Sequence, residues 1–322
     1  MNIHVTERAT FKTCRRMHEF QYRRFLKTPG DAVNASWVGR AVHAGLAGYY
    51  RGDPILSGFL SWLDRKLTPE RRGSLMPEES RKIEEMTDLI TQILLGYVSF
   101  AQTRDDFDII SVEQPLRVRV PGTQAYLVGT LDLVVRHRRT GKLWVYDHKT
   151  KTSFDDPLRL ELDDQMTAYL WLVWQTYKEM PAGAVYNQLR KKVPATPMLV
   201  DKRKRLSKDK SIDTTYDKYL EAIHTHGFNP EDYQDILAKV SENHFYYREP
   251  IARNKAELLN FTSHLRSECR EMRSKATPLY PNPGEHCIYY CDYRILCKAM
   301  NEDGDVDSLE RSLYVYEPER RE

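Results

Sequence analysis

No apolar run in this 322-residue chain approaches the roughly 20 residues that span a bilayer, which excludes a helical span of that kind. The opening "MNIHVTERATFKTCRRMHEF" lacks the apolar centre of a secretory signal, so the expected location is the cytoplasm, with no membrane partner. No GxxxxGK[ST] loop occurs, which excludes an ATPase motor of that type, and neither internal repeats nor long low-complexity segments are present. Cysteine is scarce and odd in number, five in all, so a disulfide framework is not the expected use of it. A net charge of +3 is too small to announce a nucleic-acid binder by itself.

What is present is unevenly placed. Residues 190 to 210 hold nine Lys/Arg against two Asp, and residues 301 to 322 hold eight acids against three arginines. Either run also reads as a solvated loop or tail. The first hundred residues read mostly as helix, with Ser36 capping "WVGRAVHAGLAGYY" and apolar residues at helical spacing in "PEESRKIEEMTDLITQILLGYVSFA". From Ile109 the pattern changes to strands, "IISVEQPLRVRV", "AYLVGTLDLVVRH" and "KLWVYDHKT". Helix returns in "LDDQMTAYLWLVWQTYKEM", a strand in "GAVYNQLRKK", an irregular basic stretch runs to about Thr214, and helices fill Tyr216 to about Arg273. That order predicts an α/β fold, a small mixed sheet flanked by helices with helical additions at both ends.

The chemistry concentrates in "GTLDLVVRHRRTGKLWVYDHKTK". Strand alternation puts Asp147 and Lys149 on the face of Leu143 and Val145, and Trp144, Tyr146 and His148 on the other. A turn centred between Arg139 and Thr140 would bring Asp132 opposite Asp147, about 4.5 to 5.5 Å away between Cβ atoms, where like charges need neutralising. A divalent cation of the Mg²⁺ or Mn²⁺ type would do so. An exposed edge hairpin with a charged solvent face is the competing reading. Elsewhere, Gly39 and His43 stand one helical turn apart in "GRAVH", as do Gln165 and Tyr169 in "QMTAY".

Taken together and in order, "GRAVH", "VEQPL", "GTLDL", "DHK" and "QMTAY" resemble the PD-(D/E)XK nuclease superfamily, and within it the RecB-like branch, over residues 35 to 190. The resemblance implies a restriction-endonuclease-like core. It implies Mg²⁺ or Mn²⁺ held by His43, Asp132, Asp147 and the carbonyl of His148, with Lys149, Gln165 and Tyr169 completing the catalytic set and Glu113 supporting it. Cys14, Cys287, Cys291 and Cys297 resemble the four ligands of a [4Fe-4S] cluster in relatives of the CRISPR-adaptation exonuclease, although three residues separate the first two C-terminal cysteines here where two do in many relatives. Zinc accepts the same four thiolates and stays open as the occupant. Cys269 reads as a free helix cysteine.

The implied organisation is one nuclease domain over 1–300, namely a helical part to 104, a catalytic core at 105–195, a helical insertion at 196–280 and the cysteine segment at 281–300, followed by an acidic tail. The implied function is a stand-alone metal-dependent DNA exonuclease, phage-type, working on linear ends beside a strand-annealing or other recombination protein. Arg15, Arg16, Arg190, Lys191, Lys192, Arg203, Lys204 and Arg205 are the expected DNA contacts, with single-stranded DNA among the expected substrates. A structure-specific or restriction-type endonuclease, and a non-catalytic DNA-binding protein with a degenerate core, are the alternatives.

Overall fold

The computed structural model describes residues 1–29, 35–200, 202 and 205–318. In chain order the first part holds β1 (Asn2–His4), α1 (Val5–Thr13), α2 (Arg15–His18), β2 (Leu26–Lys27), α3 (Ala35–Arg51), α4 (Ser57–Lys66), α5 (Pro69–Ser74) and α6 (Pro77–Gln102). The middle holds β3 (Phe107–Arg119), β4 (Tyr126–His137), β5 (Leu143–Lys151), α7 (Pro157–Glu161), α8 (Asp164–Tyr177) and β6 (Gly183–Arg190). There follow β7 (Leu199–Val200), β8 (Arg205–Leu206), α9 (Tyr216–Thr225), α10 (Gln234–Val240), β9 (Tyr246–Ile251) and α11 (Lys255–Arg273). The last part is α12 (His286–Tyr289), α13 (Arg294–Asn301), α14 (Val306–Leu313) and β10 (Val315–Tyr316).

The central sheet is mixed and six-stranded, in the order β1-β4-β5-β6-β9, with β3 on the other edge of β4. Because β3 pairs with β4 along its whole length, β1 and β5 must share the opposite edge. β1 pairs in parallel with Tyr126–Val128, and β5 pairs antiparallel with Leu133–Arg136. Residues 129 to 132, the "GTLD" motif, therefore lie in the fork between two neighbours, where no strand claims their outer edge.

The hairpin register is the expected one: Leu133 faces Tyr146, Val134 faces Val145, and the next step outward is Asp132 toward Asp147. An exposed edge hairpin is ruled out, since β5 is flanked by β4 and β6 and both its faces are covered. Leu143 and Val145 join Leu131, Tyr169, Leu172 and Phe261 under α1, α8 and α11. Tyr146 joins Trp37, Leu46, Leu94 and Tyr97 under α3, α4 and α6. A strand covered on both faces has to be apolar almost throughout, which is why β6, "GAVYNQLR", is buried from Gly183 to Leu189.

Five local expectations give way. Helix α3 already includes Ser36, so that serine is no cap. "YYREPI", within the stretch from Tyr216 to about Arg273 read as helical, is β9, paired antiparallel with β6, and Asn2–His4, read within a helical region, is β1. The basic stretch carries the small ribbon β7–β8. The acidic C-terminal segment is folded up to residue 318: α14 lies on α13, and β10 pairs with β2.

Candidate metal centre and cysteine cavity

Three elements bring His43, Glu113 and Asp132 together, with one ligand atom from each mutually within 4.8 Å. His43 is the inward-facing residue of the third turn of α3, and its Nδ1 lies 3.3 Å from Asp132 Oδ1. Gly39, one turn earlier, faces β5, where an added Cβ would stand 3.4 Å from Thr150 Oγ1. Glu113 comes from β3 at a point where the backbone takes φ +49, in the left-handed region that a glutamate enters only at a cost of about 1–3 kcal/mol. The flanking pairs Val112–Leu133 and Gln114–Leu131 place that strained residue across from Asp132. The sequence treats Glu113 as a support; the fold puts it inside the cluster.

At the fork, Asp132 Oδ2 accepts the His148 backbone N–H at 2.7 Å, so a side chain replaces the carbonyl of a lost ladder rung. Burial pushes Asp132 upward, but the His43 hydrogen bond and charge outweigh it and hold the carboxyl at about 2. Among the described residues Glu113 has no such hydrogen bond; burial and the neighbouring Asp132 push it up to about 7. Asp147, 3% exposed, is likewise pushed up to about 6 by burial, against the pull of Lys149, whose Nζ lies 2.7 Å from Oδ2. Burial lowers Lys149, yet Asp147 raises it further, so the ammonium stays charged. Gln165 Nε2 donates to Tyr169 Oη at 2.8 Å on α8, and burial raises the Tyr169 phenol. The site is thus two paired charges beside one carboxylate that ionises only near neutrality, which is the donor set of a hard divalent cation.

A family model described as "PD-(D/E)XK nuclease superfamily" matches residues 3–298. The chain belongs to this superfamily. No curated protein matches it. Among solved structures, one titled "Crystal structure of SSO0001" is 12% identical over 92% of this chain and 96% of that one, with a TM-score of 0.31. The superfamily is one of nucleases, and the acidic cluster of this member is its candidate metal site.

Behind the centre of this PD-(D/E)XK chain runs a buried polar network that sequence reasoning missed. Asn187 Nδ2 lies 2.8 Å from both His148 Nδ1 and Tyr97 Oη, and Asn187 Oδ1 accepts from Arg248 Nε at 3.2 Å. Tyr50 Oη bonds Tyr97 Oη at 2.7 Å and donates to Asp105 at 3.1 Å, while Arg248 Nη1 sits 2.7 Å from Asp105 Oδ1. Burial drops His148 to about 3, so its ring is neutral, and the Tyr50 ring stacks on it with centroids 5.8 Å apart. The only hint in the sequence was the polar pair "NQ" inside an apolar strand.

Cys14, Cys287, Cys291 and Cys297 line one almost wholly apolar cavity of about 190 Å³. The Asn282 N–H lies 3.4 Å from Cys14 Sγ and Arg16 Nη1 lies 3.9 Å from Cys297 Sγ. No three of these sulfurs are mutually within 4.8 Å. Cys269 is elsewhere, buried in α11.

The expected DNA contacts divide. Arg16 belongs to the cysteine cavity and Arg15 pairs with Glu271 at 3.0 Å. Arg190 and Lys192 both hold Asp213, at 2.7 and 2.6 Å. Lys191 is half-buried after β6, Arg205 is exposed on β8, and Arg203 and Lys204 lie outside the described residues.

Proposed function

We propose that this nuclease is a metal-dependent DNA exonuclease of the RecB-like branch, active on linear ends with Mg²⁺ or Mn²⁺. The observation that carries the reading is the convergence of His43, Glu113 and Asp132 beside the Asp147–Lys149 pair. These residues would hold the cation, with Asp147 and the His148 carbonyl joining the set. The cation would lower the pKa of a bound water and neutralise charge on the scissile phosphate. Lys149 would donate to a phosphate oxygen, and the network through Asn187 and Tyr50 fixes His148, whose N–H orients Asp132.

Two hollows of unequal size support action at ends. On the α3 side lies a space of about 530 Å³ lined by Arg40, His43 and Glu113, and on the α7–α8 side a smaller one of about 230 Å³ lined by Lys149, Lys151 and Tyr186. A strand entering by the wide side and confined at the narrow one would present its terminus.

The cysteine cavity would be the seat of a [4Fe-4S] cluster in this reading, which is supported by its apolar walls, its four soft ligands and a backbone N–H directed at one sulfur. Zinc takes the same four thiolates in tetrahedral geometry and is the competing occupant. Held there, the cluster would join chain segments far apart in sequence within one nuclease unit and take no part in hydrolysis. A phage setting and a strand-annealing partner rest on the resemblance of the motifs. No helix among the described residues is long and apolar enough to cross a membrane.

The deciding assay follows end-labelled linear and closed circular DNA with Mg²⁺ or Mn²⁺, for wild type and Lys149→Ala. Wild type is expected to degrade the linear form alone, and Lys149→Ala to lose that activity. Cutting of the circle would replace the exonuclease reading with an endonuclease. Equal inertness of both proteins would remove the enzyme.

A further inference from the structure

Away from the catalytic groove, an open hollow of about 700 Å³ lies between the turn of the β3–β4 hairpin and the C-terminal half of α11. Its charged lining is Arg119, Arg270 and Arg273, completed by Thr123, Gln124 and Ser274, with no carboxylate. Arg266, Arg270 and Arg273 are spaced for one face of the helix. Arg266 locks that face to the hairpin by donating to the Pro121 carbonyl at 2.8 Å, and Arg119 Nε is committed to the Thr123 carbonyl at 3.2 Å.

The acids of α11 are all spent elsewhere. Glu257 takes the Asn254 N–H at 2.6 Å, Glu268 is held by Arg8 and by Lys12 at 2.9 Å, and Glu271 by Arg15 at 3.0 Å. Among the described residues neither Arg270 nor Arg273 has a carboxylate partner. Both side chains are exposed. The C-terminal end of α11 favours Arg270 and Arg273 where they stand, and with every acid of the helix paired elsewhere their exposed guanidinium groups are left to attract an anion.

We infer that this hollow is a second docking surface for the phosphodiester backbone of nucleic acid, separate from the catalytic groove. The inference rests on the nuclease reading above. Six residues of β4 separate Tyr126, beside the hairpin turn, from Asp132; at about 3.3 Å per residue that is about 20 Å, the length of about six base pairs. A ligand long enough to bridge that span would engage both places, and one of a single nucleotide would engage only the catalytic one. A strand anchored here stays bound while its other end is processed.

The test is Arg270→Ala/Arg273→Ala, measured in EDTA by anisotropy of a labelled duplex of about 20 base pairs over a series of salt concentrations. Both side chains are exposed, so unchanged thermal unfolding is expected. The slope of log K against log salt should fall by about two, with Arg270→Lys/Arg273→Lys restoring it. With Mn²⁺, hydrolysis of a p-nitrophenyl ester of thymidine monophosphate should be the same in variant and wild type. An unchanged slope overturns the surface, as does poly-glutamate displacing the duplex at equal charge, which would mark an acidic peptide as the ligand. Failure of the nuclease reading would look different: no hydrolysis of the ester by either protein, with the loss of slope still present.

Discussion

The two candidate metal sites are built in opposite ways. The carboxylate centre stands on β4 and β5, inside the main sheet, and its residues are held before any ion arrives: Asp132 by the His148 N–H, His148 by Asn187, and Asn187 by Arg248. The cysteine cavity has no strand of that sheet beneath it. Its walls are short helices from the two extremes of the chain, brought together by a small cluster around Phe20, Leu26, Tyr293, Leu296 and Tyr314. One site is prepared by the fold and would lend it little; the other would be prepared by its occupant and would lend the fold a great deal.

Asp132→Asn should break the first half of that contrast most visibly. The amide removes the charge that His43 balances while keeping the shape, so cleavage of linear DNA should fall on the order of 10³-fold, while losing the contacts that hold the carboxyl at about 2 should lower the unfolding temperature by only a few degrees. Initial rates and calorimetry on the same preparation check both parts. A large loss of stability would mean that the centre is structural.

Cys291→Ala tests the other half. Closing a loop of roughly 270 residues contributes about 5 kcal/mol on chain-entropy grounds, which for a protein of this size is roughly 5–10 °C of unfolding temperature. The variant should lose a brown colour that bleaches on reduction, and lose that much thermal stability, while a colourless wild type containing stoichiometric zinc would remove the cluster.

How much of each site could be read in the sequence follows the same division. The strands of the carboxylate centre were legible because Asp132, Asp147 and Lys149 interrupt apolar alternation, and because the turn near Arg139 sets the β4–β5 register. Glu113 was underrated, since no pattern of residue types announces a positive φ. The supporting network was invisible: Asn187 reaches Tyr97 across 90 positions and Arg248 reaches Tyr50 across 198, and no local periodicity carries such a pairing. β9 was lost because Arg248, Glu249 and Pro250 look like a loop, although two of them answer partners, Asn187 and Tyr247, on the sheet. Nor does a charge run show its pairings: Arg190 and Lys192, expected to contact DNA, both reach Asp213 in the fold.

A smaller effect separates Glu113 from Asp132 by pH. Glu113 ionises near 7 in the folded chain, above the usual 4.5, so the folded state keeps a proton that the unfolded state releases. Its contribution to stability is complete below about 4.5 and is lost as pH rises to 7. Asp147, raised to about 6, acts in the same direction, whereas Asp132, held at about 2, is already ionised across this window. His148, held neutral at about 3, acts in the opposite sense up to its usual 6.5, so the readout is a difference of profiles: in EDTA wild type should lose stability relative to Glu113→Gln from pH 5 to 7.5, and Mn²⁺ in place of EDTA should close that gap by favouring the ionised carboxylate. An identical profile for Glu113→Gln would remove Glu113 from the cluster.

The smallest effects distinguish the two motif glycines, which the sequence presents as equals. A Cβ on Gly129 would stand 2.9 Å from Leu172, 3.1 Å from Val5 and 3.2 Å from Tyr169, all packed in the core. Gly129→Ala should therefore cost about 1–3 kcal/mol through overpacking, and push Tyr169 away from Gln165. Gly39 lies within α3, and its added Cβ would meet only Thr150 Oγ1 at 3.4 Å, an ordinary contact. Gly39→Ala should leave stability unchanged or raise it by up to about 1 kcal/mol, since alanine is the better helix former. Chemical denaturation of both variants orders them. Equal penalties would mean that α3 sits closer to β5 than the Thr150 distance allows, and that His43 reaches Asp132 from a shorter range.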